Sequence, residues 1–173
     1  MKKYLIVGVS GSGKSTVENE LWKKGYRTID IDQEPRLTHW INKQTGERAE
    51  YTPGKVSEEW LNRHAWLWDE AMMTELLNRD PGNPVFVVGV TSDILDQLHR
   101  FDKVFLLQIP PSVVRQRLED RPGQDEFGKS ETEVGHVLSW QGEFEKEMII
   151  KGAIVIDAQQ PVEVMVQKII ANI

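Results

Sequence analysis

Apolar and polar residues alternate in blocks along this chain. Short apolar runs fall at Tyr4–Val7, Tyr26–Ile31, Val85–Val90, Val104–Ile109 and Ala153–Ile156. Each has the length of a strand and is rich in branched or aromatic side chains. Between them, apolar residues recur at helical spacing, as with Val17 and Leu21, four apart on one face. This alternation predicts an α/β fold, a doubly wound five-stranded parallel sheet with helices on both faces. A chain of 173 residues suffices for one such domain with a real core.

Two stretches interrupt the pattern. In the first, from Gln33 to Asp80, the polar segment Lys43 to Lys55 carries Gly46, Pro53 and Gly54 and reads as a loop. Ser57 then reads as the N-cap of one long helix, with Leu61, Ala65, Trp68, Met72 and Leu76 as its apolar stripe. The second runs from Arg121 to Lys129, where Pro122, Gly123 and Gly128 mark a short loop. Ser130 to Glu133 is a capping-box start for the next helix. A loop flanked by arginines is a candidate lid, over about 121–130.

Composition narrows the functional classes. A net charge of −6 argues against holding nucleic acid by its backbone. The absence of cysteine excludes disulfides and zinc–thiolate sites and suits a reducing cytoplasm. The start Met-Lys-Lys imitates a signal peptide, but the apolar run after it is too short and already serves as the first strand. No segment has the length of a membrane span. The expected setting is cytoplasmic, with no membrane partner and nucleic acid disfavoured.

Gly8 to Thr16 reads Gly-Val-Ser-Gly-Ser-Gly-Lys-Ser-Thr, the phosphate-binding pattern G-x-x-x-x-G-K-S/T placed between a strand and a helix. Amides across Ser10, Gly11, Ser12, Gly13, Lys14 and Ser15 would converge on an anion at the positive end of the helix dipole. Lys14 would reach the β- and γ-phosphates, Ser15 would ligate Mg²⁺, and Thr16 would lie near the α-phosphate. Asn42-Lys43-Gln44-Thr45 lacks the aspartate that reads guanine, and Leu138-Ser139-Trp140-Gln141-Gly142 only echoes an ABC signature. Neither the GTPase nor the ABC class follows. At the end of the second strand Asp30 and Asp32 are two apart, so in an extended chain both face the phosphate site. Paired carboxylates there can hold Mg²⁺ or orient an attacking hydroxyl.

The phosphate loop followed by Asp30-x-Asp32-Gln33-Glu34 resembles shikimate kinase and its relatives. These belong to the small P-loop kinases that include adenylate, gluconate and nucleoside monophosphate kinases. The resemblance covers residues 4–34 closely and the remainder by architecture. It implies a nucleotide-kinase-like P-loop fold, ATP as donor, Mg²⁺, and a small-molecule or nucleotide acceptor. It implies Asp32 as the group nearest the acceptor hydroxyl, base or metal ligand, and Asp30 in the metal shell. Val113 to Arg121 resembles the helix that leads into the lid of such kinases, with Arg117 and Arg121 neutralising the transferring phosphoryl group. Asp157-Ala158-Gln159-Gln160-Pro161 resembles their adenine-enclosing turn. Arg36 and Arg63 are candidate acceptor contacts, whereas Trp60, Trp66 and Trp68 read as packing. The chain departs from shikimate kinases in having Gly89 alone after the third strand and no acid within Phe86-Val87-Val88. That departure leaves a second reading, an ATP-binding regulatory or adaptor domain without a dedicated acceptor.

Overall fold

The computed structural model describes residues 2–121 and 127–173. Its main sheet has five parallel strands: β1 (Lys3–Val7), β2 (Arg27–Asp30), β6 (Val85–Val88), β7 (Lys103–Gln108) and β8 (Ile154–Asp157). The apolar runs predict these five parallel strands; their order is β2-β6-β1-β7-β8. Successive residues of a strand face opposite sides of the sheet. Val85, Phe86, Val87 and Val88 are all buried, as are Leu5, Ile6 and Val7, so both faces are covered. The covering helices include α1 (Lys14–Lys23), α5 (Pro111–Asp120), α6 (Glu131–Ile150) and α7 (Val162–Ile170). Val17 and Leu21 of α1 and Val114 and Leu118 of α5 point into the core, as their spacing predicts.

This order creates a switch point. From β1 the chain runs to β2 on one side, returns to β6 beside β1, then crosses to β7 on the other side. Connections that leave in opposite directions open a crevice at the carboxyl end of β1. The phosphate loop begins there.

The region 33–80 departs from the expected single helix. It holds a three-stranded antiparallel sheet of β4 (Arg48–Ala49), β3 (Thr38–Asn42) and β5 (His64–Trp68), in the order β4-β3-β5. The polar segment read as a loop therefore carries the turn and second strand of a hairpin. The long helix is two helices, α2 (Glu58–Arg63) and α3 (Glu70–Asn78), separated by β5. Each has its own cap: Ser57 accepts from the Trp60 amide and Asp69 from the Met72 amide. The aromatic run His-Ala-Trp-Leu-Trp suits a strand, and β3 offers it a partner with Trp66 opposite Trp40. At its other edge the Trp66 amide donates to Ser92 Oγ, and the Ser92 amide donates to the Trp66 carbonyl. Tertiary pairing thus overrides the helical spacing. Leu61, Trp68 and Leu76 are still buried, but from three different elements. A short helix α4 (Ile94–Gln97) follows β6.

Gly89 ends β6 with a φ of +142°, and a Cβ built there would lie 2.2 Å from Ile31 Cγ1. Ile31 is wholly buried and cannot withdraw. Gly89→Ala is expected to cost about 2–5 kcal/mol through backbone strain and overpacking. A denaturant midpoint equal to that of the unmodified chain would contradict this packing.

Candidate active site

Two cavities open at the carboxyl edge of the main sheet and share a boundary. The first cavity, about 940 Å³, is lined by Ser10, Gly11, Gly13, Lys14, Ser15 and Thr16 of the phosphate loop. Asp30, Arg117 and Arg121 complete its polar wall, while Ala158, Val162 and Met165 form an apolar end. The second cavity, about 510 Å³, is bounded by Trp40, Tyr51, Trp66, Phe127, Trp140 and Phe144. Ser10, Lys14, Asp32 and Phe127 line both.

The loop geometry follows from its glycines. Gly11 and Gly13 adopt φ of +83° and +94°, which side chains with a Cβ resist. At Gly8 a Cβ would sit 2.5 Å from Ser12 Oγ and 2.9 Å from the Leu107 carbonyl oxygen, so the loop can turn tightly beside β7. Helix α1 then starts at Gly13 with no side-chain cap and no acid in its first turn. Its leading amides therefore lack intrahelical acceptors. Ser12 Oγ is buried without a hydrogen-bond partner. Unpaired donors, left-handed glycines and a helix dipole together fit a polyphosphate.

Lys14 Nζ donates to the carbonyls of Gly8 (2.8 Å) and Val9 (3.1 Å). Burial lowers its pKa, an effect opposed by the charges of Asp32 and Asp30 and reinforced by Arg121. Arg117 lies across the loop, donating to the carbonyls of Gly11 (3.3 Å) and Ala158 (3.0 Å). It bridges the phosphate loop and the 157–161 turn, where Asp157 Oδ1 accepts from the Gln159 amide.

The aspartates meet the site differently from the strand-based expectation. β2 ends at Asp30 and the chain turns at once, so Asp32 reaches the site from a turn. Asp30 Oδ1 accepts the Asp32 amide at 3.0 Å, and Trp66 Nε1 donates to Asp32 Oδ1 at 3.2 Å. Crowding by protein raises the Asp32 pKa; Lys14 lowers it and Asp30 raises it further. Trp66, read as packing, thus holds the carboxylate that both cavities share. Trp68 is core, as expected.

Ser15, Asp30 and Asp32 supply oxygen donors on the wall of the first cavity. Among the described residues no group of three or more His, Cys, Asp or Glu forms a complete metal cage. This donor set fits Mg²⁺, which usually takes one or two carboxylates and completes its shell with phosphate oxygens and water.

Arg36 and Arg63 stand elsewhere. Arg63 is exposed and pairs with Glu59 at 2.7 Å, and Arg36 is exposed at a turn with φ of +66°. Neither lines the two cavities. Of the candidate lid, residues 122–126 lie outside the described residues. Its described end is held by Glu133, which is fully buried. Glu133 closes the expected capping box with Ser130. Its carboxylate also accepts from Gly128, Lys129, Gly54 and the Tyr51 hydroxyl. The spacing Ser130-x-x-Glu133 predicts the first role, and nothing local in sequence indicates the rest.

Residues 5–136 match the AAA_18 family, described as an AAA domain. The chain belongs to this family. It is also 27% identical over 117 residues to dephospho-CoA kinase of Streptococcus pyogenes serotype M1, covering 61% of this chain and 57% of that enzyme. The chain thus spans little more than half the length of the curated relatives it matches. The fold is that of small P-loop kinases. Deoxyadenosine kinase from M. mycoides with bound dATP aligns with a TM-score of 0.56 and 17% identity, over 99% of this chain and 98% of that one. Shikimate kinase from Acinetobacter baumannii in complex with shikimate gives 0.59 and 19%, over 99% and 94%. A gluconokinase from Sinorhizobium meliloti 1021 gives 0.54 and 20%, over 98% and 90%. No helix among the described residues of this AAA-domain protein is long and apolar enough to cross a membrane.

Glu133 tests whether the two sides of the second cavity are joined. Burial alone would push its pKa up. Hydrogen bonds from Gly54, Tyr51, Ser130 and Lys129 outweigh burial and hold it below the ordinary 4.5. A depressed carboxylate contributes stability above its unfolded pKa and loses it as pH falls through the folded value. Glu133→Gln is expected to cost about 2–3 kcal/mol at pH 7. The gap to the unmodified protein should narrow below pH 4.5. Thermal melts across pH 3–8 would show it, and a pH-independent gap would refute the charged hub.

Proposed function

We propose that this protein is an ATP- and Mg²⁺-dependent phosphotransferase that moves the γ-phosphoryl group to a hydroxyl of a small molecule. The observation that carries the reading is the shared boundary: Lys14 and Asp32 line both cavities. In-line transfer needs a donor and an acceptor on opposite sides of one such point.

Each residue then has a task. The loop amides from Ser10 to Ser15 would bind the phosphates, with Thr16 beside the α-phosphate. Lys14 would hold the β- and γ-oxygens and offset charge that builds during transfer. Ser15 and Asp30 would hold Mg²⁺, which when bound neutralises charge on the β- and γ-oxygens and leaves Asp32 to the acceptor. Arg117 and Arg121 would close over the transferring group. The apolar end at Ala158, Val162 and Met165 would take the adenine.

Asp32 would orient the acceptor hydroxyl and take its proton. The acceptor oxygen forms the new bond to phosphorus while the bond to the β–γ bridging oxygen breaks and ADP leaves. The raised pKa makes Asp32 a somewhat stronger base than an ordinary carboxylate. A phosphate acceptor would need no such base, so the position of Asp32 favours an alcohol. An adaptor domain would have no use for a second cavity at the γ-phosphate end, which disfavours that alternative.

Transfer from γ-labelled ATP to a pooled set of small alcohols tests the reading. Lys14→Ala should abolish the labelled product. Asp32→Asn keeps an acceptor for Trp66 Nε1 and should lower kcat roughly 10²–10⁴-fold with little change in the KM for ATP. ATP binding with no transfer to any acceptor would instead favour the adaptor reading.

A further inference from the structure

The second cavity has an unusual wall for an anion-binding site. Trp40 is its centre, with ring centroids 5.7 Å from Tyr51, 5.4 Å from Trp66 and 6.2 Å from Phe127. Tyr51 and Phe127 are 6.0 Å apart. The antiparallel sheet creates the core of this surface by placing Trp40 and Trp66 opposite each other on β3 and β5. Helix α6 supplies the facing side with Val137, Trp140 and Phe144.

The charge on this wall is sparse. Beyond Lys14 and Asp32 at the junction, Lys43 is the one lysine or arginine among the described lining residues, and its Nζ is tethered to the Asn62 carbonyl at 2.9 Å. No arginine lines the cavity among the described residues. His136 is held toward its neutral form, mainly by burial and then by Lys43. Glu133, directly behind Tyr51, is a carboxylate. Carboxylate and phosphate ligands are usually gripped by arginine forks, and this wall has none to offer. Thr91, also on the lining, is buried to 2% exposure with an unpartnered Oγ1. A ligand with a polar edge would satisfy it.

Resting on the kinase reading, we infer that the acceptor is an uncharged alcohol carrying a planar ring, such as a nucleoside. Its ring lies against Trp40, Trp66, Tyr51 and Phe127, a ring edge or hydroxyl pairs with Thr91, and its reacting hydroxyl points to Asp32. Flat faces gain from stacking on aromatic side chains whatever the ring's substituents. The wall therefore selects for ring shape and against charge. A polyhydroxy acid would leave its carboxylate unpaired here, and an unpaired buried anion is strongly disfavoured.

Two readouts separate this inference from the reading beneath it. Tryptophan fluorescence is titrated with adenosine, cytidine, their 2′-deoxy forms and pyridoxine, and in parallel with gluconate, shikimate, nucleoside monophosphates and dephospho-CoA. Transfer from ATP is measured for the same compounds. Quenching and phosphorylation by ring alcohols alone are expected. Nucleosides and pyridoxine distinguish a base-plus-ribose ligand from a hydroxymethyl heteroaromatic one. Trp40→Leu should then raise KM for the ring alcohol about tenfold or more, with a smaller change in kcat. Thr91→Val should weaken it less. Preference for gluconate, shikimate or a phosphorylated acceptor, with no quenching by ring alcohols, overturns this inference and leaves the kinase standing. Quenching by ring alcohols with no transfer to any compound supports the pocket's chemistry and overturns the kinase.

Discussion

The site depends on where β1 ends. Its carboxyl terminus lies between β6 and β7; the connection from β1 leaves toward β2, and those from β6 and β7 leave the other way, so the crevice there is a consequence of strand order. The phosphate loop starts at that point, and the absence of a Cβ at Gly8 lets it turn against the Leu107 carbonyl. β2 and β6 end on one side of the crevice, β7 and β8 on the other. Asp30 and Asp32 come from the first side, Arg117 and the 157–161 turn from the second. No residue at the junction needs a special path to it once the order of strands is set.

Legibility in the sequence follows the range of the interactions involved. The five parallel strands announce themselves because both faces are buried and the runs are almost wholly apolar. The phosphate loop does so because its glycines and Lys14 act within nine consecutive residues, Gly8 to Thr16. The region 33–80 does not. There Leu61, Trp68 and Leu76 fall at helical spacing and are all buried, yet β5 forms because Trp66 can pair with Trp40, 26 residues earlier, and with Ser92, 26 residues later. Asp69 was a local sign of the break, since it caps α3. Periodicity reports burial; it cannot report which partner buries a residue.

The same limit explains the aromatic wall. Trp60, Trp66 and Trp68 read singly as packing in the sequence, and Trp68 is packing. Trp40, Tyr51, Trp66, Phe127 and Trp140 come from five separate segments, and only the tertiary fold brings them to one surface. Glu133 is the clearest case of a residue with a local and a distant role. Its capping box is legible from Ser130-x-x-Glu133, whereas its bonds to Tyr51 and Gly54 cross about eighty residues of chain. Through them one buried charge joins the start of α6 to the segment that carries Tyr51.

This joint bears on how a small protein could separate transfer from hydrolysis. In the proposed reaction, a γ-phosphoryl group at Lys14 would be open to attack by water as well as by an alcohol, and the two would differ chiefly in what shares the space around Asp32. Phe127 lines both cavities, and the next residues, Gly128 and Lys129, are tied to Glu133. Glu133 is in turn tied to Tyr51 on the aromatic wall. A ligand that packs against Tyr51 and Phe127 would therefore bear on Gly128 and Lys129, which follow Phe127 at the junction. The aromatic wall would then do two things with one surface: hold the acceptor by its ring, and keep water from the carboxylate that needs the acceptor's proton. Charge-based recognition would serve the second purpose poorly, because ionic groups draw water with them.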